Sequence, residues 1–462
     1  MTPAVGLALL WREAGLPEAA LGGIEFSGRD PVLPSSFAIG TAAAVSIGAE
    51  ALASSSMLAR RGGPAPKVLV ALRDAAIEFR SERYLRVNGA PPPDLWDAIA
   101  GLYRTKDGWV RLHTNFPHHR EGVLRLLGCA HEREAVARAL ARWEAERFDR
   151  EATEAGLTVA RLRSFDAWDA SEEGAALISQ PTVSITRFGD APAVPLSPAT
   201  RPLAGLRVLD LTRVIAGPVA GRALASYGAE VLAISASHLP QMAPLVIDTG
   251  RGKLSSFLDL REEKARETLR ELVRSADVFL QSYRPGALDH HGFGAEEVAR
   301  LRPGLVHATL SAYGFAGPWA ARRGFDSLVQ TASGFNDAEA KAAGEATPRP
   351  LPAQALDHAS GHLLAFGIIA ALLRRAAEGG SFRVRVSLAR TGLWLRSLGR
   401  VANGFACPDP GFSDISDRLE ETDSGFGRLT VVRPAAEIPA SPPRHGRPAM
   451  PLGTHPAHWP AP

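Results

Sequence analysis

Between residues 206 and 311 short apolar strands alternate with helices, and few folds accommodate that order. "LRVLDL" (206–211), "EVLAI" (230–234), "DVFLQS" (277–282) and "LVHATLS" (305–311) read as buried strands. Between them, "GPVAGRALASYGAE" (217–230) has the small residues of a helix. "EEKARETLRELVRSA" (262–276) places Leu269, Leu272 and Val273 on one helical face, and a further helix is expected near 295–301. Strands so spaced need crossover connections, which predicts a parallel, doubly wound α/β sheet. In "FRVRVSL", Phe382, Val384, Val386 and Leu388 alternate with Arg383, Arg385 and Ser387, so this half-exposed strand belongs to the same layer.

The segment around that strand is written twice. "GGSFRVRVSLARTGLWLRS" from Gly379 and "GPAPKVLVALRDAAIEFRS" from Gly63 agree at six of nineteen positions without gaps. Each reads as a strand followed by a helix. Between the copies lies "GLYRTKDGWVRLHT" (101–114), a hairpin turning at Lys106-Asp107-Gly108. "HEREAVARALARWEAERFDREATEAGL" (131–157) then turns Val136, Leu140, Trp143 and Phe148 inward as one or two helices. A small α+β domain is therefore expected at 92–180. "APAVPLSPATRP" (191–202) holds four prolines, and 181–202 reads as a linker to a large domain at 203–400. The tail, 401–462, has nine prolines from Pro434 onward and should be draped over a surface or disordered.

Bulk properties exclude several classes. The formal charge of +3 comes from 52 basic and 49 acidic residues with no clustered basic block, so no nucleic-acid partner is expected. Cys129 and Cys407 give neither a disulfide framework nor a CxxC pair, which fits a reducing cytoplasm. The longest apolar run, "LLAFGIIAALL" (363–373), is eleven residues, short of the roughly 20 that cross a bilayer. The N-terminus lacks a basic n-region, and no signal peptide is expected. Paired histidines at 118–119 and 290–291 lack a third ligand at metal spacing, so no metal is expected.

Candidate chemistry collects near strand ends. Ala216, Gly217, Ala220 and Gly221 are small where a helix opens after a strand, either for close helix–strand packing or to bring backbone N–H groups to a phosphate or thioester. "SYRPGALDHHGFG" (282–294) follows another strand end, either as a turn on Pro285-Gly286 or as a phosphate contact. Asp357 precedes an apolar helix and suits an N-cap, as does Asp326 for a helix running to about 332. Glu345 lies in a loop flanked by Gly344 and Pro348.

Five ordered segments carry a resemblance: "PLAGLRVLDLTRVIAGPVAGRALASYGAEVLAI", "GRGKLSSFLDL", "ADVFLQSYRPGALDHHGFG", "LSAYGFAGPWAARRGFDSLVQTASG" and "QALDHASGHLLAFGIIAAL". The chain over about 202–400 resembles family III CoA-transferases, the group of formyl-CoA transferase, carnitine CoA-transferase and α-methylacyl-CoA racemase. Residues 1–91 resemble a late part of that family's large domain, which implies permuted halves with the shared segment duplicated. The copy is unequal, because Thr41 stands where the second has Asp357.

The resemblance implies a Rossmann-like large domain, a smaller α+β domain and a homodimer of interlocked chains. It implies an acyl-CoA and a small carboxylic acid as substrates, with no tightly bound cofactor. An enzyme carboxylate would attack the thioester, forming an acyl anhydride and then an enzyme–CoA thioester. Counting back twelve residues from Asp357 places that role on Glu345, with Asp337 or Glu339 as substitutes, while Asp357 itself matches one of the racemases' proton-transfer acids. The family's Gly-Asp-x-x-Arg after the second strand is replaced by "SASHLPQMAPLV". Arg251 and Lys253 are then expected to bind CoA phosphates, with backbone at Ala216 and Gly217 and with Ser282, Tyr283 and Arg284. Phe325 stands where the racemases carry His, which argues against racemisation. A silent CoA-binding or partner subunit is the alternative, and a racemase or isomerase the third reading.

Overall fold

The computed structural model describes residues 1–460, and the last two tail residues, 461–462, lie outside the described residues. A seven-stranded sheet runs in the order Lys253–Phe257, Glu230–Ser235, Arg207–Leu211, Val278–Gln281, Val306–Ser311, Ser381–Ser387 and Ser184–Gly189. The first six strands are parallel and the last is antiparallel to its neighbour. From Arg207–Leu211 the chain winds first to one side, then at Val278–Gln281 to the other. That reversal opens a crevice beyond the carboxyl ends of the two strands, where doubly wound sheets hold ligands.

The seventh strand corrects the reading of 181–202 as linker. Ser184–Gly189 lies between Pro181 and Pro192 and contains no proline, so its N–H groups are free to pair with Ser381–Ser387. The tail is likewise more than an extension. Leu419–Ser424 and Gly427–Val432 form a hairpin that pairs with Arg86–Val87. Beyond it the Pro-rich chain lies along Lys253–Phe257: the His455 N–H donates to Ser255 O at 2.8 Å and the Ser255 N–H donates to His455 Nδ1 at 3.0 Å. An otherwise open sheet edge is thus covered.

Both copies of the repeated segment form helix, strand, helix. The first is Ile39–Arg60, Val68–Ala71 and Leu72–Glu78; the second is Ala355–Glu378, Ser381–Ser387 and Leu388–Ser397. Their surroundings differ, because Val68–Ala71 belongs to a separate three-stranded sheet with Ile24–Ser27 and Ala436–Glu437. The two long helices pack side by side in one core. Each is long and apolar enough to cross a membrane, yet 89% and 100% of their most apolar windows are buried inside the protein. Their N-termini are held alike. Asp30 accepts from the Gly40 and Thr41 N–H groups at 2.9 and 2.8 Å, and Asp326 accepts from those of Leu356 and Asp357 at 2.8 and 2.9 Å.

The small domain has its own core. Gly101–Arg104, Trp109–Leu112 and Val159–Arg161 form an antiparallel sheet against Pro117–Leu127, Arg133–Leu140 and Ala145–Glu154. Val136, Leu140 and Phe148 are buried there, with Trp143 half-buried. This domain faces the crevice. His113 stacks on Phe325 at 3.8 Å between centroids, and Arg322 forms a buried ion pair with Asp149.

Candidate active site

Asp357 sits three residues into a 24-residue helix, so it is not that helix's N-cap; Gln354 holds that position and the Asp326 carboxylate supplies the capping bonds. Its side chain is released from capping, and among the described residues its carboxylate accepts no hydrogen bond. Asp357 is only 7% exposed, and it lines two neighbouring cavities. Burial first, then the charges of Asp326 and Glu82, push its carboxyl well above the usual range. Asp326, whose own carboxyl burial pushes up to about 6, is held as an acceptor by two N–H groups. The proton of this pair therefore rests on Asp357.

One cavity, of about 350 Å³, brings together Ala216, Ser282, Tyr283, Arg284 and Asp357. The helix Ala216–Ser226 opens into it without a side-chain cap. A close crossing sets that helix beside Asp357: a Cβ on Gly361 would meet Ala216 O at 2.5 Å. Arg213, Arg284 and Arg323 also line the cavity, and none has a carboxylate partner among the described residues. Burial and then Arg284 push the Arg323 guanidinium down. Three cations without a carboxylate partner beside an uncapped helix N-terminus make this cavity electropositive and suited to an anion. Val214 borders both cavities and a third, and its φ of 75° is strained for a β-branched residue.

The second cavity, of about 430 Å³, lies on the other side of Asp357, lined by Trp96, His113, Phe325, Ser327 and Gln354 among others. Burial and then Arg111 hold the His113 imidazole down at about 3, so it is neutral at physiological pH. A small acid has room here, with Asp357 on the shared wall.

Several expected site residues stand elsewhere. Glu345 is exposed, follows the helix Phe335–Ala343 and pairs with Arg349; it borders neither cavity. Its substitutes are also committed, Asp337 to Lys341 at 2.7 Å and buried Glu339 to the Ser36 N–H at 3.0 Å. Arg251 is fully buried and bonds Asp248 at 3.0 Å and Val432 O at 3.0 Å. Lys253 borders an adjacent cavity, but its ammonium donates to Asp210 at 2.7 Å and to Pro218 O at 2.8 Å. Both cations satisfy buried carboxylates and carbonyls rather than stand free for phosphate. Gly217 lies behind Ala216, where a Cβ would strike Thr212 at 2.4 Å, so packing explains it. Arg213, Arg323 and Phe116 carried no signal of their own in the sequence, because they reach the crevice from three separate segments.

The Asp357–Asp326 pair fixes a pH dependence. If Asp357 acts as a nucleophile it must be ionised, and activity should then rise with pH through its raised value. Asp326→Asn removes the neighbouring charge, lowers that value and should move the acid limb of kcat to lower pH. A limb that stays in place or moves up would show that Asp326 does not act on Asp357. Stability has the opposite trend. Both carboxyls are raised, so their contribution is full below the ordinary 3.8; that of Asp326 is lost as pH rises through about 6, and that of Asp357 as pH rises through its own raised value.

Residues 203–403 match the family model described as CoA-transferase family III. Over 327 residues the chain is 33% identical to "Acetyl-coenzyme A transferase nodX" of Hypoxylon pulicicidum, covering 65% of this chain and 55% of the relative. It is 35% identical over 236 residues to "Probable fatty acyl-CoA transferase Rv3272" of Mycobacterium tuberculosis, covering 47% and 59%. A crystal structure of Rv3272 matches 43% of this chain and 57% of that one at 35% identity, with a TM-score of 0.40. The chain spans less than two thirds of each of these relatives.

Proposed function

We propose, from the match of residues 203–403 to CoA-transferase family III, that the chain moves CoA between an acyl-CoA thioester and a free carboxylic acid. The observation that carries the proposal is a buried carboxylate without a hydrogen-bond partner, Asp357, on the wall between an arginine-lined cavity and an acid-sized one. Relatives named for this chemistry include "Formyl-CoA:oxalate CoA-transferase" of Streptomyces coelicolor, 30% identical over 247 residues.

In this reading Arg213, Arg284 and Arg323 hold the CoA phosphates, and the uncapped N-terminus at Ala216 faces the thioester oxygen. Ionised Asp357 attacks the thioester carbon and expels CoA thiolate, leaving an acyl anhydride on the side chain. The thiolate attacks the aspartyl carbonyl and releases the donor acid. The resulting aspartyl-CoA thioester is attacked by the acceptor carboxylate, giving a second anhydride, and returning thiolate completes the new acyl-CoA while freeing Asp357. A carboxylate suits each step because its anhydride keeps the thioester's energy. Phe325 adds no proton carrier beside Asp357. The enzyme would need no tightly bound cofactor.

The test is product analysis after mixing the protein with an acyl-CoA and an unlike acid. A new acyl-CoA, absent without protein, is expected; hydrolysis alone would contradict transfer. We further place the enzyme in a reducing cytoplasm on its two unpaired cysteines, and as a homodimer on the family likeness. A solution mass equal to one 49.0 kDa chain would contradict the dimer.

A further inference from the structure

Arg111 lies in the strand Trp109–Leu112, whose neighbours Val110 and Leu112 point into the small-domain core. It points the other way, toward the large domain, and is only 8% exposed. Among the described residues its guanidinium forms no hydrogen bond and no ion pair; it lies over the Trp96 ring at 5.3 Å. Its Nε is fully enclosed without a partner. The charge of Asp326 acts on it, but with no hydrogen bond or ion pair between them, and a buried cation so weakly balanced is costly.

Arg111 lines a third space, of about 460 Å³, that adjoins the acid-sized cavity. The two share Arg83, Trp96, Ser327 and Gln354 as walls. The other charges facing this space are accounted for: Arg83 lies 3.7 Å from Glu82, Arg349 pairs with Glu345, and Asp409 pairs with Arg80. Arg111 is the cation left over. Burial pushes its guanidinium down to about 10, which still leaves it charged at neutral pH.

We infer that the acid accepted on this side of Asp357 carries a second anionic group, and that Arg111 binds it. The substrate class is then a dicarboxylic acid: one carboxylate meets Asp357, the chain passes Trp96, Ser327 and Gln354, and the far carboxylate takes the Arg111 fork. The inference rests on the transfer reading for the role of Asp357, but the anion site itself does not.

Transfer should be measured with malonate, succinate, glutarate and adipate against monocarboxylates of matched length, in wild type, Arg111→Met and Arg111→Lys. Melting temperature and CoA affinity serve as checks on folding. Wild type should prefer one of the dicarboxylates, and Arg111→Met should lower its preference ratio by about 10- to 100-fold, the scale of one charge-assisted contact. Arg111→Lys should restore part of that ratio. Equal losses on both acid classes, or no preference in wild type, would overturn the inference. If wild type transfers to no acid, calorimetry with the same dicarboxylates separates the two ideas. Saturable binding abolished in Arg111→Met upholds the anion site while the transfer reading fails; no binding to wild type overturns the site as well.

Discussion

Asp357→Asn should abolish CoA transfer, lowering kcat by at least about a thousandfold, while CoA affinity stays near wild type. An amide cannot form the anhydride, and every later step depends on that bond. The fold should survive, because the capping bonds at this helix N-terminus come from Asp326 and not from Asp357. The substitution also removes a carboxyl that burial holds well above its ordinary value, so the melting temperature at neutral pH should hold or rise. Loss of CoA binding along with turnover would instead make Asp357 a structural residue. Steady-state kinetics with calorimetry on the same preparation separates the two.

Lys253→Ala should unfold the protein more readily rather than simply weaken a phosphate contact. Lys253 and Asp210 form an ion pair with side chains 4% and 2% exposed. The helix above is shaped around it: a Cβ on Gly221 would meet Asp210 Oδ2 at 2.2 Å and Lys253 Nζ at 2.8 Å. Removing the lysine leaves a buried carboxylate uncompensated, a change on the order of 3–5 kcal/mol. Chemical denaturation should show that loss, and Lys253→Ala with Asp210→Ala should recover part of it. A normal unfolding curve with weakened CoA binding would return Lys253 to the phosphate site.

These two expectations mark where the sequence was legible. Strand–helix alternation between 206 and 311 is a local signal, and the parallel sheet follows from it. The helix–strand–helix repeat was legible for the same reason. Ser184–Gly189 was not, since the strand it pairs with, Ser381–Ser387, lies far along the chain. Ala216, Ser282, Tyr283, Arg284 and Asp357 meet in one cavity because each follows a strand end or opens a helix at the same sheet edge.

The misplaced residues share a cause. Arg251 and Lys253 open a strand and look like phosphate ligands until their carboxylates are seen. Asp248 is three residues before Arg251, but Asp210 comes close to Lys253 only across an intervening strand. Glu345 was placed by counting twelve residues back from Asp357. Counting fixes position along a helix, where each residue advances a set rise, but the loop between Gly344 and Gln354 carries the chain away from the crevice.

In the proposed reaction Asp357 becomes covalently joined to CoA. Wild type should be mixed with an acyl-CoA, quenched with hydroxylamine, digested and mapped by mass spectrometry. A hydroxamate is expected on the peptide containing Asp357, absent without acyl-CoA and absent in Asp357→Asn. A hydroxamate on Glu345, Asp337 or Glu339, or none in a protein that completes transfer, would contradict that role of Asp357.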